Sequence, residues 1–273
     1  MWQSLVVDYI DVTFGHRVWW VDAFVGEAER GNPAVVVLLE RPLPDDELHQ
    51  IASEMAVSET AFVRQAGDEW SLRSFTPTIE VELFGHATLA ALHVLVHELE
   101  AAASEFFFAT RSGMQSGRRL SDGLLGIDLP RAQLEPLSPA VLNGTLGDVS
   151  ECYKAGAHMM LAVVEDYETL CGLDVDSMNL FLVPSSMIVA VCAGGPEVDA
   201  SIRVFAPRLG VAEDHVTGSA LCAVAPWWVE KVGSPTIMVR QASTRGGLMF
   251  GRLFERNVEV AGEARTFLSG EIR

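Results

Sequence analysis

The sequence predicts an α+β protein of two similar lobes, each a curled, mostly antiparallel sheet around one central helix. Three observations carry this. A motif occurs twice: Phe75-Thr76-Pro77, Glu80 and Gly85-His86-Ala87-Thr88 in the first half, and Phe205-Ala206-Pro207, Asp214 and Thr217-Gly218-Ser219-Ala220 in the second. Each copy leads into a strongly apolar helix, and a helix apolar on nearly every face is a buried one. Many short strand-like segments surround each helix. A helix start carries unpaired N–H groups and the positive end of a macrodipole, so two facing starts suit an anionic small molecule between the lobes.

The elements follow in order. Val18 to Phe24 is rich in β-branched and aromatic residues and reads as a strand. Gly26 to Asn32 is a turn, and the apolar run Pro33 to Leu39 is a buried strand. A helix runs from about Asp46 to Met55, its acidic first turn matched to the dipole. Thr60 to Arg64 and Trp70 to Phe75 are short strands, and Ala87 to His97 is the first central helix. Strands follow at Phe106 to Thr110, Gly113 to Arg119 and Leu124 to Leu129. The proline-rich stretch Pro130 to Pro139 marks the boundary between lobes. This gives an N-terminal extension over 1–17, a first lobe over 18–129 and a second over 130–273, the last strand returning to the first lobe. In the second lobe, strands are expected at Cys152 to Lys154, Met159 to Val164, Met187 to Cys192 and Ile202 to Phe205. The second central helix spans Ser219 to Val232, with Trp227 and Trp228 in its packing face. Closing strands are Thr236 to Gln241, Leu248 to Leu253, Asn257 to Ala261 and Arg265 to Leu268.

Composition excludes several classes of function. The chain has 273 residues, is 49% hydrophobic and carries a formal net charge of −18. That charge disfavours nucleic acid and anionic membranes as partners. It leaves an anionic substrate open, since a local site can be positive on an acidic protein. No apolar run approaches the ~20 residues of a membrane span. Met1 to His16 lacks the basic cluster and apolar core of a signal peptide. Cys152, Cys171, Cys192 and Cys222 form no C-x-x-C pair, and a reduced cytoplasmic protein with buried thiols and no metal site is the simple reading.

The motifs in order resemble one family. These are Asp22-Ala23-Phe24, Gly31-Asn32-Pro33-Ala34, Ser58-Glu59-Thr60-Ala61-Phe62, the two repeated motifs, and Gln241-Ala242-Ser243 with Arg245-Gly246-Gly247. Together they are similar to the phenazine-biosynthesis isomerase (PhzF-like) proteins. The resemblance implies a diaminopimelate-epimerase-like fold with the active site between lobes, a homodimer, and no metal or organic cofactor. It implies an isomerase that moves a proton on a small carboxylate-bearing substrate, as in trans-2,3-dihydro-3-hydroxyanthranilate isomerisation.

Within that resemblance Glu59 is the general acid/base. A carboxylate can take a proton from one carbon and return it to another when burial and neighbours lift its pKa. His86 would relay a proton or donate to a substrate carboxylate, and Asp214 would orient it or bind the substrate. Gly85, Gly218 and Ser219 would hold a carboxylate or enolate oxygen. Asn32 either bonds the substrate or fixes its turn. Arg245 offers a cation near the cleft or a plain turn. His215 departs from the family pattern, which has proline there. Relatives of this fold that racemise amino acids use two thiols, at positions read here as Phe84 and Thr217, neither of which exchanges a proton with carbon. The nearest thiol, Cys222, falls inside the second helix. Racemisation by non-thiol bases and non-catalytic binding of a small carboxylate are the competing functions.

Overall fold

The computed structural model describes residues 15–81, 85–142, 145–174 and 180–272. Its strands and helices form one order twice. In the first half they are β1 (His16–Val25), β2 (Asn32–Leu38), α1 (Asp45–Met55), β3 (Glu59–Ala66), β4 (Glu69–Phe75), β5 (Glu80–Val81), α2 (His86–His93), β6 (Glu105–Thr110), β7 (Gly113–Arg119) and β8 (Leu125–Pro130). A connecting strand β9 (Leu134–Leu137) follows. The second half gives β10 (Glu151–Ala155), β11 (Met159–Val163), α3 (Tyr167–Cys171), β12 (Met187–Ala193), β13 (Ala200–Ala206), β14 (Val211–Asp214), α4 (Leu221–Val232), β15 (Thr236–Gln241), β16 (Gly247–Leu253) and β17 (Asn257–Ile272).

Pairing repeats as well. β2 and β3 run parallel with α1 between them, as do β11 and β12 with α3 between them. β4 and β13 each pair antiparallel with the preceding strand and with the short strand that follows. Both halves close into rings. β1, β2, β3, β4, β6, β7, β8 and β17 are hydrogen-bonded in succession, and β17 returns to β1. In the second ring β9 continues β8 and pairs with β10, while the first part of β17 pairs with both β16 and β8. Closure removes exposed strand edges. Inside the rings α2 is buried along its whole length, and α4 through Trp228. The two helices and the inward strand faces form one continuous apolar core. Helix α1 covers the outside of the first ring over Val37, Phe62 and Phe75, and α3 covers the second over Ala190, Cys192 and Phe205.

The structure refines the sequence reading at specific points. β1 begins at His16, two residues inside the stretch read as an extension, because His16 and Arg17 pair with Ile272 and Glu271. The proline-rich connector contains β9, which tolerates Pro136 because the strand pairs only with β10. The two closing strands expected after Asn257 are one, since Gly262 pairs with Leu125 and Glu263 continues directly to Val25. α2 ends at His93 and runs on as a π-turn, Val94–Glu98. The short elements β5, β14 and α3 carry no periodicity to read. Pro226 lies inside α4 and leaves the Cys222 carbonyl without its helical donor. The Ala132 N–H of the connector takes that place at 3.0 Å, tying the junction to the helix.

Candidate active site

Each ring brings a strand-hairpin-helix unit to the junction, and the two helix starts meet there. The approach is close enough to dictate the residues. A Cβ on Gly85 would lie 2.6 Å from the Gly218 Cα, and one on Gly218 would lie 2.9 Å from the Phe24 ring. Glycine is needed for contact of the two backbones, since Gly85 itself has φ −86°. Phe24 takes a left-handed φ of 61° in a β-bulge, an unfavourable conformation for an aromatic residue, and this seats its ring against both Gly218 and Gly262.

A cavity of ≈ 90 Å³ opens beside this contact, lined by Glu59, His86, Gly85, Asp214, Gly218 and Ser219 among others. Of the seven residues singled out in the sequence, six line it. Asn32 lies behind them. Its amide donates to Asp214 Oδ1 at 2.9 Å and to the Val216 carbonyl at 2.8 Å, so it braces the second lobe from the first. Glu59 is the first residue of β3, and its carboxyl lies 3.6 Å from His86 Nε2, too far for a good hydrogen bond. Side-chain exposures of 14% and 6% leave both groups nearly dry. Among the described residues, Glu59 Oε2 and His86 Nε2 have no hydrogen-bond partner.

Burial therefore controls protonation. It pushes the Glu59 carboxyl well above 4.5, and the Asp214 carboxylate adds to the shift. Burial also pulls His86 down to about 4; Asp214 opposes this and His215 reinforces it. The site thus favours an uncharged acid beside an uncharged imidazole. Asp214 has a different environment. It accepts from Asn32, from the His215 N–H at 2.8 Å and from Thr217 Oγ1 at 2.5 Å.

Sequence reasoning missed Gln241 as a brace, although it lay in a recognised motif. Its buried amide donates to the Asp214 carbonyl and its oxygen accepts from the Thr217 N–H, both at 2.8 Å. Arg245 lies in a turn before β16, as expected, and its guanidinium is not a free cation. It donates to Asp22 Oδ1 and to the Gly31 and Arg30 carbonyls, fastening the second half to the first. Trp227 and Trp228 are core, as expected. Thr217 hands its hydroxyl to Asp214, and burial pushes the Cys222 thiol up to about 12. Phe84, the other position compared with a thiol, lies outside the described residues.

The lining is one-sided. Thr60 pairs with Phe75 as Ile188 pairs with Phe205, so Met187 is the internal counterpart of Glu59. Ser74 pairs with Val81 as Val204 pairs with Asp214, so Val81 is the counterpart of Asp214. All four line the cavity, and only one of each pair is ionisable.

The sequence matches the family model described as "Phenazine biosynthesis-like protein", PhzC-PhzF, over residues 21–270. The chain belongs to the PhzC-PhzF family. An uncharacterized isomerase of Pseudomonas aeruginosa is 39% identical over 256 residues, 93% of this chain and 98% of its own. A human phenazine biosynthesis-like domain-containing protein is 34% identical over 93% of this chain and 98% of its own. The crystal structure of a PhzF-family protein from Enterococcus faecalis superposes with a TM-score of 0.85 at 31% identity, covering 95% of this chain and 99% of that one. The fold is the α+β, diaminopimelate-epimerase-like one expected from the sequence, and this PhzC-PhzF protein is an isomerase. No helix among the described residues is long and apolar enough to cross a membrane.

Proposed function

We propose that this protein is a cofactor-independent isomerase that moves a proton on a small, carboxylate-bearing substrate, resembling trans-2,3-dihydro-3-hydroxyanthranilate isomerase. The observation that carries the reading is the dry pair of Glu59 and His86, 3.6 Å apart beside two touching helix starts. As carboxylate, Glu59 takes a proton from one carbon, and the C–H electron pair enters the conjugated system. Charge collects on substrate oxygens held by N–H groups at Gly85, Gly218 and Ser219. The Glu59 acid then protonates a second carbon and is a carboxylate again, so no electrons or protons are left over. A raised pKa suits a group that must do both. His86 and Asp214 position the substrate and assist the transfer.

Racemisation by non-thiol bases needs a second base facing the first, and Met187 stands where the second half would carry it. Turnover of an enantiopure amino acid in a chiral assay would favour that reading instead. A homodimer belongs to the proposal, supported by Phe267 and Leu268, 74% and 54% exposed on β17; sedimentation tests it. A cytoplasmic setting is supported by free thiols at Cys152, Cys171, Cys192 and Cys222.

The test is NMR in D₂O with trans-2,3-dihydro-3-hydroxyanthranilate, beside Glu59→Gln. Deuterium entering substrate or product with wild type alone is the expected result. Equal exchange in both proteins overturns the role of Glu59. Binding without exchange points to a non-catalytic carboxylate binder.

A further inference from the structure

The repeat extends to an arginine that no functional motif contains. Two residues before Phe75 stands Arg73, and two before Phe205 stands Arg203. Each guanidinium lies over that phenylalanine ring, at 5.2 and 5.1 Å. Each grips the glutamate of the following short strand with two nitrogens. Arg73 donates to both oxygens of Glu80 at 2.8 Å, and Arg203 to those of Glu213 at 2.7 and 2.9 Å. Each also reaches the outer helix of its lobe. Arg73 meets Asp45 at the start of α1, whereas Arg203, only 8% exposed, donates to the Leu170, Cys171 and Leu173 carbonyls at the end of α3.

The two clamps hold different cargo. Successive strand residues point to opposite faces, so a grip on the glutamate fixes the aim of its neighbour. In the first lobe that neighbour is Val81, which cannot ionise. In the second it is Asp214. β14 has only four residues between two loops, so little else sets its orientation from the outer side.

We propose that Arg203 and Glu213 are positioning residues, whose two-pronged ion pair fixes β14 so that Asp214 faces Glu59 across the cavity. The proposal rests on the reading of Glu59, His86 and Asp214 as the working set, and it adds how that set is held. Among the described residues, the charged and titratable groups facing Glu59 are His86 from α2 and Asp214 from β14, with His215 beside them. Among the described residues the charge that acts on Glu59 is that of Asp214, which Arg203 and Glu213 position. An effect of either must therefore travel through Asp214.

The experiment is a substrate-free titration of the Glu59 carboxyl by ¹³C NMR, the signal assigned by its loss in Glu59→Gln. Arg203→Lys keeps the charge and loses the fork. Its expected effect is a fall in the Glu59 midpoint of about one pH unit, as the Asp214 carboxylate withdraws. Glu213→Gln should act in the same direction, and it decides the matter if Arg203→Lys does not fold. Arg73→Lys breaks the equivalent clamp over Val81 and should leave the midpoint in place. An unmoved midpoint in folded Arg203→Lys and Glu213→Gln overturns the proposal, as does an equal shift in Arg73→Lys. A parallel assay on trans-2,3-dihydro-3-hydroxyanthranilate should show kcat about tenfold lower in Arg203→Lys, with KM less affected. Absence of wild-type turnover there would count against that substrate, while the titration still decides the role of the clamp.

Discussion

Glu59 and His86 trade stability for reactivity, and the sign of each effect follows from its shift. The folded protein keeps Glu59 protonated above 4.5, where the unfolded chain has released that proton. Stability is therefore lost as pH rises through the window above 4.5 and is flat below it. Glu59→Gln should raise the neutral-pH melting temperature, with a gain that disappears near pH 4.5. A melting temperature unchanged or lowered at pH 7 would contradict this. His86 acts in the opposite sense. Between about 4 and 6.5 the unfolded chain binds a proton that the folded one refuses, so stability rises as pH rises across that window, by up to ~3 kcal/mol. The two effects partly cancel in the wild type, and Glu59→Gln should steepen acid unfolding. Asp214→Asn removes the negative neighbour that helps to raise Glu59. The acid limb of kcat/KM should then move to lower pH, with reduced turnover; a limb that stays in place would show that burial alone sets it.

At the level of elements, the touching helix starts make the sharpest demand. Gly85→Ala forces a methyl into the Gly218 backbone, which cannot yield as a flexible side chain would. Overpacking of this kind costs roughly 1–3 kcal/mol, a drop of several degrees in thermal melts. Retention of wild-type stability and exchange would refute so tight a junction. Gly85 and Gly218 were legible because the repeat placed each before an apolar run, and the long strands were legible from their apolar or β-branched content. Other features had no local signal. β5 and β14 are too short to show alternation and exist because Phe75 and Val204 offer them partners across a hairpin. The role of Asn32 depends on Asp214, 182 positions away, and that of Gln241 on Thr217. The sequence pattern located the acid/base candidates, but only the fold shows that Glu59 lies 3.6 Å from His86.

On the scale of the molecule, the two halves are joined by exchange of strands as much as by contact. β17 completes the second ring with residues 257–262 and the first ring with residues 263–272, while β9 lends an edge to β10. Arg118 of β7 crosses the same seam, pairing with Asp128 of β8 and Glu259 of β17. Removing residues 263–273 should leave β1 with a bare edge and abolish cooperative unfolding in calorimetry. A truncated protein that melts as one sharp transition would show that the first ring does not need this strand. Strand exchange also has a consequence for biosynthesis. The amino-terminal ring is translated before the other but cannot close until β17, which follows every strand of the second ring in the chain, has been made. Until then β1, paired with β2 on one side, must wait with its other edge bare on a chain that is 49% hydrophobic. Chaperone capture of nascent chains should therefore persist until β17 has emerged, instead of ending when the first half has.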